Sequence, residues 1–191
     1  MLTTLVFFAE SPNPCTAVWA CRALTEMARV PIVRKQLNST EYSWVSRQTQ
    51  MAEYKTTGVQ SMFSIMRRQL GDNYAHPIAA QIVLWAAVAL EQMLSEYKYA
   101  ENVGLTQLDS IQLLVRLFKE MKDQSVRVSL AGVVAVLAQV PHNAQILIQM
   151  NICDYLALLT FQFTGTNQQL IMKTCAALQQ VVKNAPVRTE S

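Results

Sequence analysis

Two histidines and four cysteines are the side chains of this sequence best suited to acid–base, nucleophilic or zinc chemistry. Their placement argues against all three. His76 precedes Pro77 and His142 follows Pro141, so each imidazole falls in a turn, where a surface or capping role is expected. Cys15, Cys21, Cys153 and Cys175 form no C-x-x-C pair, and with the histidines they show none of the spacings that hold zinc. They lie within apolar helical stretches, which predicts buried free thiols in a reducing compartment. A serine nucleophile elbow and an H-E-x-x-H helix are missing, and five glycines could hardly build a phosphate-cradling loop. The carboxylates are scattered, with no inward Glu-x-x-His pair of the kind a di-iron bundle uses. The expectation is a chain that is not an enzyme and that holds no metal and no cofactor.

The 191 residues are 51% hydrophobic and 15% charged, whereas soluble domains are roughly 25% charged. Large covered faces, a partner interface or a membrane would each account for the difference. The longest apolar run, Ile78 to Leu90, is interrupted by Gln81 and falls short of the roughly 20 residues of a membrane helix. It reads as a buried helix. The net charge of +3 is mild. Arg34-Lys35 and Arg67-Arg68, the densest basic pairs, read as solvated helix faces and make no nucleic-acid stripe. Arg116, Lys119 and Lys122 line one side of Ser110 to Lys122, a face suited to solvent or to a membrane surface. The opening MLTTLVFFAES lacks a basic n-region, so secretion is not expected and the compartment would be cytoplasm or nucleus.

Helices must position these residues. Helix breakers are few, five Gly and six Pro, and no alternating strand pattern stands out, so the chain is predicted to be all-α. Asn102, Asn143 and Asn184 lie 41 residues apart, twice over, and the residues between them repeat in kind. One helix of the unit carries apolar residues at 0, +3, +4, +6 and +7. Full copies begin at Val59, Ile111 and Ile152, and a weaker one begins at Leu2. Gly58, Ser110 and Asn151, just before the full copies, suit a turn or helix cap. A partner helix recurs around Leu24, Leu90, Leu137 and Leu178, with Met27, Met93, Val140 and Val181 three residues on; Leu90, Leu137 and Leu178 are the predicted core. Extra residues at Leu70 to Pro77 read as a surface loop. The largest irregularity, Val30 to Thr57, is predicted to hold two helices, one starting at Pro31 and one at Thr40-Glu41. A period of this size marks stacked helical repeats, which work by presenting a surface.

The stretches Gly58-Val59-Gln-Ser-Met62-Phe63-Ser-Ile65-Met66 and Trp85-Ala-Ala-Val-Ala-Leu90, with the asparagines opening short first helices, resemble the armadillo-repeat family and its HEAT relatives. The resemblance runs from about residue 2 to 185. It implies a right-handed α-solenoid of about three and a half repeats. The units would be approximately 1–30, 31–101, 102–142 and 143–185, in a single domain with a tail over 186–191.

In that family the third helices line a concave groove, where importin-like members hold extended peptides with a Trp and an Asn four residues later. Here Trp19 and Trp85 match the Trp, and Gly132 and Lys173 stand in its place in the later repeats. The amide position holds Ala23, Ala89, Val136 and Ala177, so importin-like capture of basic signal peptides is not expected. A second polar row, Glu26, Gln92, Gln139 and Gln180, follows seven residues on, along the same helix face. These side chains would line a groove or simply favour an exposed helix. The two tryptophans would be partner hot spots or core fillers. The groove so predicted comprises Trp19, Arg22, Glu26, Trp85, Gln92, Gln139, Lys173 and Gln180. The competing site is the array's ends, where uncharged Leu2 to Ala9 and the pair Phe161 and Phe163 leave core-like surface without polar caps. The expected function is a non-enzymatic interaction or scaffold subunit whose partner is a peptide segment or a neighbouring subunit. The alternative is a purely structural piece of an assembly docked, or self-associated, through its ends. Nucleic-acid and membrane-surface binding are weaker alternatives.

Overall fold

Proline opens four of the helices, where its missing N–H falls among groups that have no intrahelical partner anyway. The computed structural model describes residues 1–45, 53–70, 77–106, 108–162 and 168–185. Within them the order is α1 (Leu2–Ala9), α2 (Pro14–Ala28), α3 (Pro31–Ser39), β1 (Tyr42–Val45), β2 (Glu53–Thr56), α4 (Gly58–Arg68), α5 (Pro77–Met93), α6 (Tyr97–Thr106), α7 (Leu108–Glu120), α8 (Gln124–Leu137), α9 (Pro141–Gln149), α10 (Ile152–Gln162) and α11 (Gln168–Lys183). Several helix starts also use side chains to satisfy free amides. Asn13 Oδ1 accepts from the Thr16 amide at 3.2 Å, and Asp123 Oδ1 accepts from the Ser125 and Val126 amides at 2.8 and 3.1 Å. Thr57 and Gln60 form a reciprocal capping box before α4. The chain packs as two compact units, Met1–Met93 and Leu94–Ser191.

In the first unit α2 lies along α5, while α1 packs on α2 and α4, and α3 packs on α4 and α5. The buried face of α2 is Ala17, Ala20, Cys21, Leu24, Thr25 and Ala28, and α5 buries Val83, Ala86, Ala87, Ala89 and Leu90. So many alanines let two helix axes come close. Val59, Met62, Phe63, Ile65 and Met66 of α4 are all buried, as the repeat spacing predicts.

The interval Val30 to Thr57 departs from expectation. Its described residues hold one helix, α3, followed by an antiparallel pair of strands in which Tyr42 faces Thr56 and Val45 faces Glu53. Thr40 does not start a second helix: it ends α3 in extended conformation, with φ −94° and ψ 126°. Tyr-Ser-Trp-Val and Glu-Tyr-Lys-Thr are dense in aromatic and β-branched residues, which fit a pleated ribbon better than a helix. Tyr42 and Thr56, directly opposite each other in the ribbon, are both buried. Beyond it, Gly58 opens α4 against α3: a Cβ there would lie 2.9 Å from both Leu37 Cδ2 and the Leu37 carbonyl oxygen.

The second unit is two successive triads, α6-α7-α8 and α9-α10-α11. Each helix of the first triad packs on its counterpart in the second: α6 on α9, α7 on α10, α8 on α11. The asparagines of the 41-residue register tie such neighbours together. Asn143 Nδ2 donates to the Ala100 carbonyl of α6 at 2.8 Å, and Asn184 Nδ2 donates to the Ala138 carbonyl at the end of α8, also at 2.8 Å. Asn38 does the same in the first unit, donating to the Met93 carbonyl at 2.9 Å. These amides satisfy main-chain oxygens, two of them at helix ends where no intrahelical donor remains. Asn102 is exposed.

Ile111, Leu114, Val115, Leu117 and Phe118 are all buried, but two copies of the pattern break at +6. Phe8 and Leu158 are exposed where Ile65 and Leu117 are covered. Leu90 and Leu137 are fully buried as predicted, as is Leu24, whereas Leu178, predicted with them, is half-buried. Among the turn residues, Asn151 adopts a left-handed φ of 58° between α9 and α10. Gly58, by contrast, is the first residue of α4, and Ser110 lies buried inside the first turn of α7. The predicted loop between Leu70 and Pro77, with His76, lies outside the described residues, as does Phe163.

Candidate functional site

Beside its buried stripe, α2 carries Cys15, Val18, Trp19 and Arg22 at three- and four-residue intervals on another face. From α5, Ile78, Gln81 and Trp85 stand opposite at helical spacing. These side chains line a cleft of about 400 Å³. Thr25 fixes the two walls: its hydroxyl donates to the Cys21 carbonyl at 2.9 Å and reaches the Trp85 carbonyl at 3.5 Å. Trp19 is 66% exposed, and Trp85 is half-buried. Both core and surface roles were open to these indoles, and the packing of α2 on α5 leaves Trp19 outside.

Arg22 joins them. Its guanidinium carbon is 5.5 Å from the Trp19 ring centre and 5.3 Å from that of Trp85, a cation held against two π faces. Such contacts are worth about 0.5–1 kcal/mol each in exposed settings. Glu26, one turn along α2, pairs with Arg29 at 2.8 Å and so does not neutralise Arg22. Arg22 has no carboxylate and no hydrogen-bond acceptor among the described residues. The result is a mostly apolar cleft with a stacked, chemically unspent cation.

Of the predicted row, the structure therefore brings together Trp19, Arg22 and Trp85. Glu26 is exposed and engaged with Arg29; Gln92 is half-buried near the end of α5. Gln139, Lys173 and Gln180 belong to the second unit, Gln139 exposed just beyond α8 and the other two half-buried on α11. Gly132, at the tryptophan position of its repeat, is buried. Sequence reasoning missed Cys15, Val18, Ile78 and Gln81. Extending the helical stripe one turn back from each tryptophan would have found Cys15 and Gln81, and a second turn back along α5 would have found Ile78.

The thiols are not all buried as expected. Cys21 is, but Cys15 and Cys175 are exposed and Cys153 is intermediate. Cys15 stands on the cleft stripe of α2, and Cys175 on an uncovered face of α11 with Met172 and Val182. Burial pushes the Cys21 thiol up to about 12, with the Glu10 carboxylate adding to the effect and Arg68 opposing it. Glu10 itself ends α1 and pins it to α4. It accepts from Ser61 Oγ at 2.8 Å and pairs with Arg68 Nη2 at 2.6 Å, while Arg68 Nη1 donates to the Glu10 carbonyl at 3.0 Å. Burial nevertheless raises its carboxyl above the usual range, outweighing Arg68 and the serine hydrogen bonds.

Elsewhere the chemistry is sparse. Among the described residues no group of three or more His, Cys, Asp or Glu could hold a metal ion. His142 is exposed in the first turn of α9. On α7, Arg116 pairs with Glu120 at 2.6 Å and Lys119 lies 4.8 Å from the Tyr155 ring centre, so much of that basic face is already engaged. Among the described residues no single helix is long and apolar enough to cross a membrane; the pair α9 and α10 reaches the length only across a 77° bend.

No family profile matches this chain, and no curated protein does. An engineered protein of known crystal structure is similar over 96% of this chain and 97% of its own, at 15% identity and a TM-score of 0.45.

Proposed function

We propose that this chain is a non-enzymatic protein-interaction subunit, an armadillo-like α-solenoid of right-handed stacked repeats that presents the α2–α5 cleft to a protein partner. The observation that carries the reading is Trp19, left 66% exposed and stacked on Arg22 at the mouth of an apolar cleft. Tryptophan and arginine are among the residue types most enriched at binding hot spots. The stacking side of the proposal draws on the triads of the second unit, where like packs on like, and on the 41-residue register that recurs in the asparagine ties. Gln139, Lys173 and Gln180 would extend the recognition surface on the second unit. Four free thiols suit a reducing compartment, cytoplasm or nucleus.

A second reading has its own support. Phe7 and Phe8 of α1, and Leu158, Phe161, Met172 and Val182 of α10 and α11, are exposed. Such apolar faces would dock a structural subunit onto neighbours or onto further copies. Light scattering of the purified chain across concentration, with Trp19→Ala alongside, separates the two. A monomer at every concentration supports the cleft reader. Mass that grows with concentration, and that Trp19→Ala leaves unchanged, moves the interface to the apolar faces and refutes the cleft as the main site.

A further inference from the structure

We infer that the cleft recognises an extended segment of a partner protein carrying a carboxylate beside a large apolar side chain. The inference rests on the protein-interaction reading above and names the chemistry of the partner.

Three features of the cleft point there. The Arg22 guanidinium carbon lies over both indole rings, 5.5 and 5.3 Å from their centres, and a guanidinium set on aromatic faces keeps N–H groups with which to bind a carboxylate through two parallel hydrogen bonds. Stacking also holds the fork in place before binding, which lowers the rotamer entropy lost on complex formation. Second, Glu26 is drawn off to Arg29, and Arg22 has no acceptor among the described residues, so an incoming carboxylate meets an uncompensated charge. Third, Val18, Ile78 and the indole edges form an apolar wall for a neighbouring side chain, and exposed Gln81 stands at the same cleft with an amide suited to a peptide backbone.

A nucleic acid fits less well. Base stacking needs free indole faces, and Arg22 lies against one face of each ring. Arg22 is also the single cation among the described residues lining the cleft, which matches one carboxylate better than a run of phosphates.

The test is selection of a phage-displayed library of random dodecapeptides on the full chain. Trp19→Ala and Arg22→Gln are measured in parallel, and thermal unfolding of each variant checks the fold; both residues are exposed, so neither substitution should shift it. Peptides that need Trp19 are expected to be enriched in Asp or Glu next to Leu, Phe or Trp. Their affinity should fall at least about 10-fold in Arg22→Gln and less in Arg22→Lys, which keeps the charge but not the stacked fork. Trp19-dependent peptides without acidic enrichment would overturn the carboxylate assignment and leave the protein-interaction reading standing. Failure to select any Trp19-dependent peptide would overturn both. Oligo-dT and phosphatidylserine vesicles are titrated beside the best peptide; tighter, Arg22-dependent binding of either would reassign the cleft to a phosphate ligand.

Discussion

Gly58→Ala is the substitution whose outcome can be worked most directly from the geometry. Alanine is the better helix former by up to about 1 kcal/mol, so on propensity alone the change should stabilise α4. The added methyl group, however, would lie 2.9 Å from Leu37 Cδ2, 2.9 Å from the Leu37 carbonyl oxygen and 3.1 Å from Leu37 Cβ. Leu37 is fully buried, so its side chain cannot swing into solvent, and the oxygen belongs to the backbone of α3. Relief requires the start of α4 to move off α3 by a few tenths of an ångström. Overpacking of this kind costs about 1–3 kcal/mol, and subtracting the propensity gain leaves a net loss of up to about 2 kcal/mol. The assay is built into the sequence. Trp19, Trp44 and Trp85 are all the tryptophans of the chain and all belong to the first unit, so their fluorescence during urea unfolding reports on that unit alone. A lower urea midpoint at unchanged slope is expected, because stability changes while the surface exposed does not. A midpoint equal to or above that of the parent would mean that α3 and α4 do not meet this closely and that propensity wins.

Leu137→Ala should cost about 2–5 kcal/mol as a fully buried leucine, and half-buried Leu178→Ala distinctly less; equal losses by circular dichroism would mean that the two repeats are covered alike. Glu10 carries a raised carboxyl, so the folded state binds its proton more tightly than the unfolded state and stability falls as pH rises above the ordinary value of 4.5. Glu10→Gln should flatten that part of the pH–stability curve, and a parent chain that gains on Glu10→Gln as pH rises would show the Arg68 pair outweighing burial. In thiol alkylation followed by mass spectrometry, Cys15 and Cys175 should react rapidly in the folded chain and Cys21 only after unfolding; early modification of Cys21 would contradict both its burial and its raised pKa.

What the sequence determined by itself is the local part. A face that recurs at 0, +3, +4, +6 and +7 must be covered for the helix to be stable, so the apolar rows of α4 and α7 and the leucines at 90 and 137 could be named before any packing was known. Proline placed the start of α3 at Pro31 by equally local physics. The ribbon of Tyr42–Val45 and Glu53–Thr56 escaped the same reasoning because two four-residue strands offer too few periods to outweigh a helical context. Periodicity also says that a face needs a cover but not which element supplies it. Phe8 and Ile65 hold the same place in the repeat, and only the packing leaves one exposed and buries the other. The cleft belongs to this second kind of information. Trp19 and Trp85 shared a repeat position and Arg22 one helix face in the sequence, but their stacking depends on where α5 lies against α2, and that is a property of tertiary structure alone.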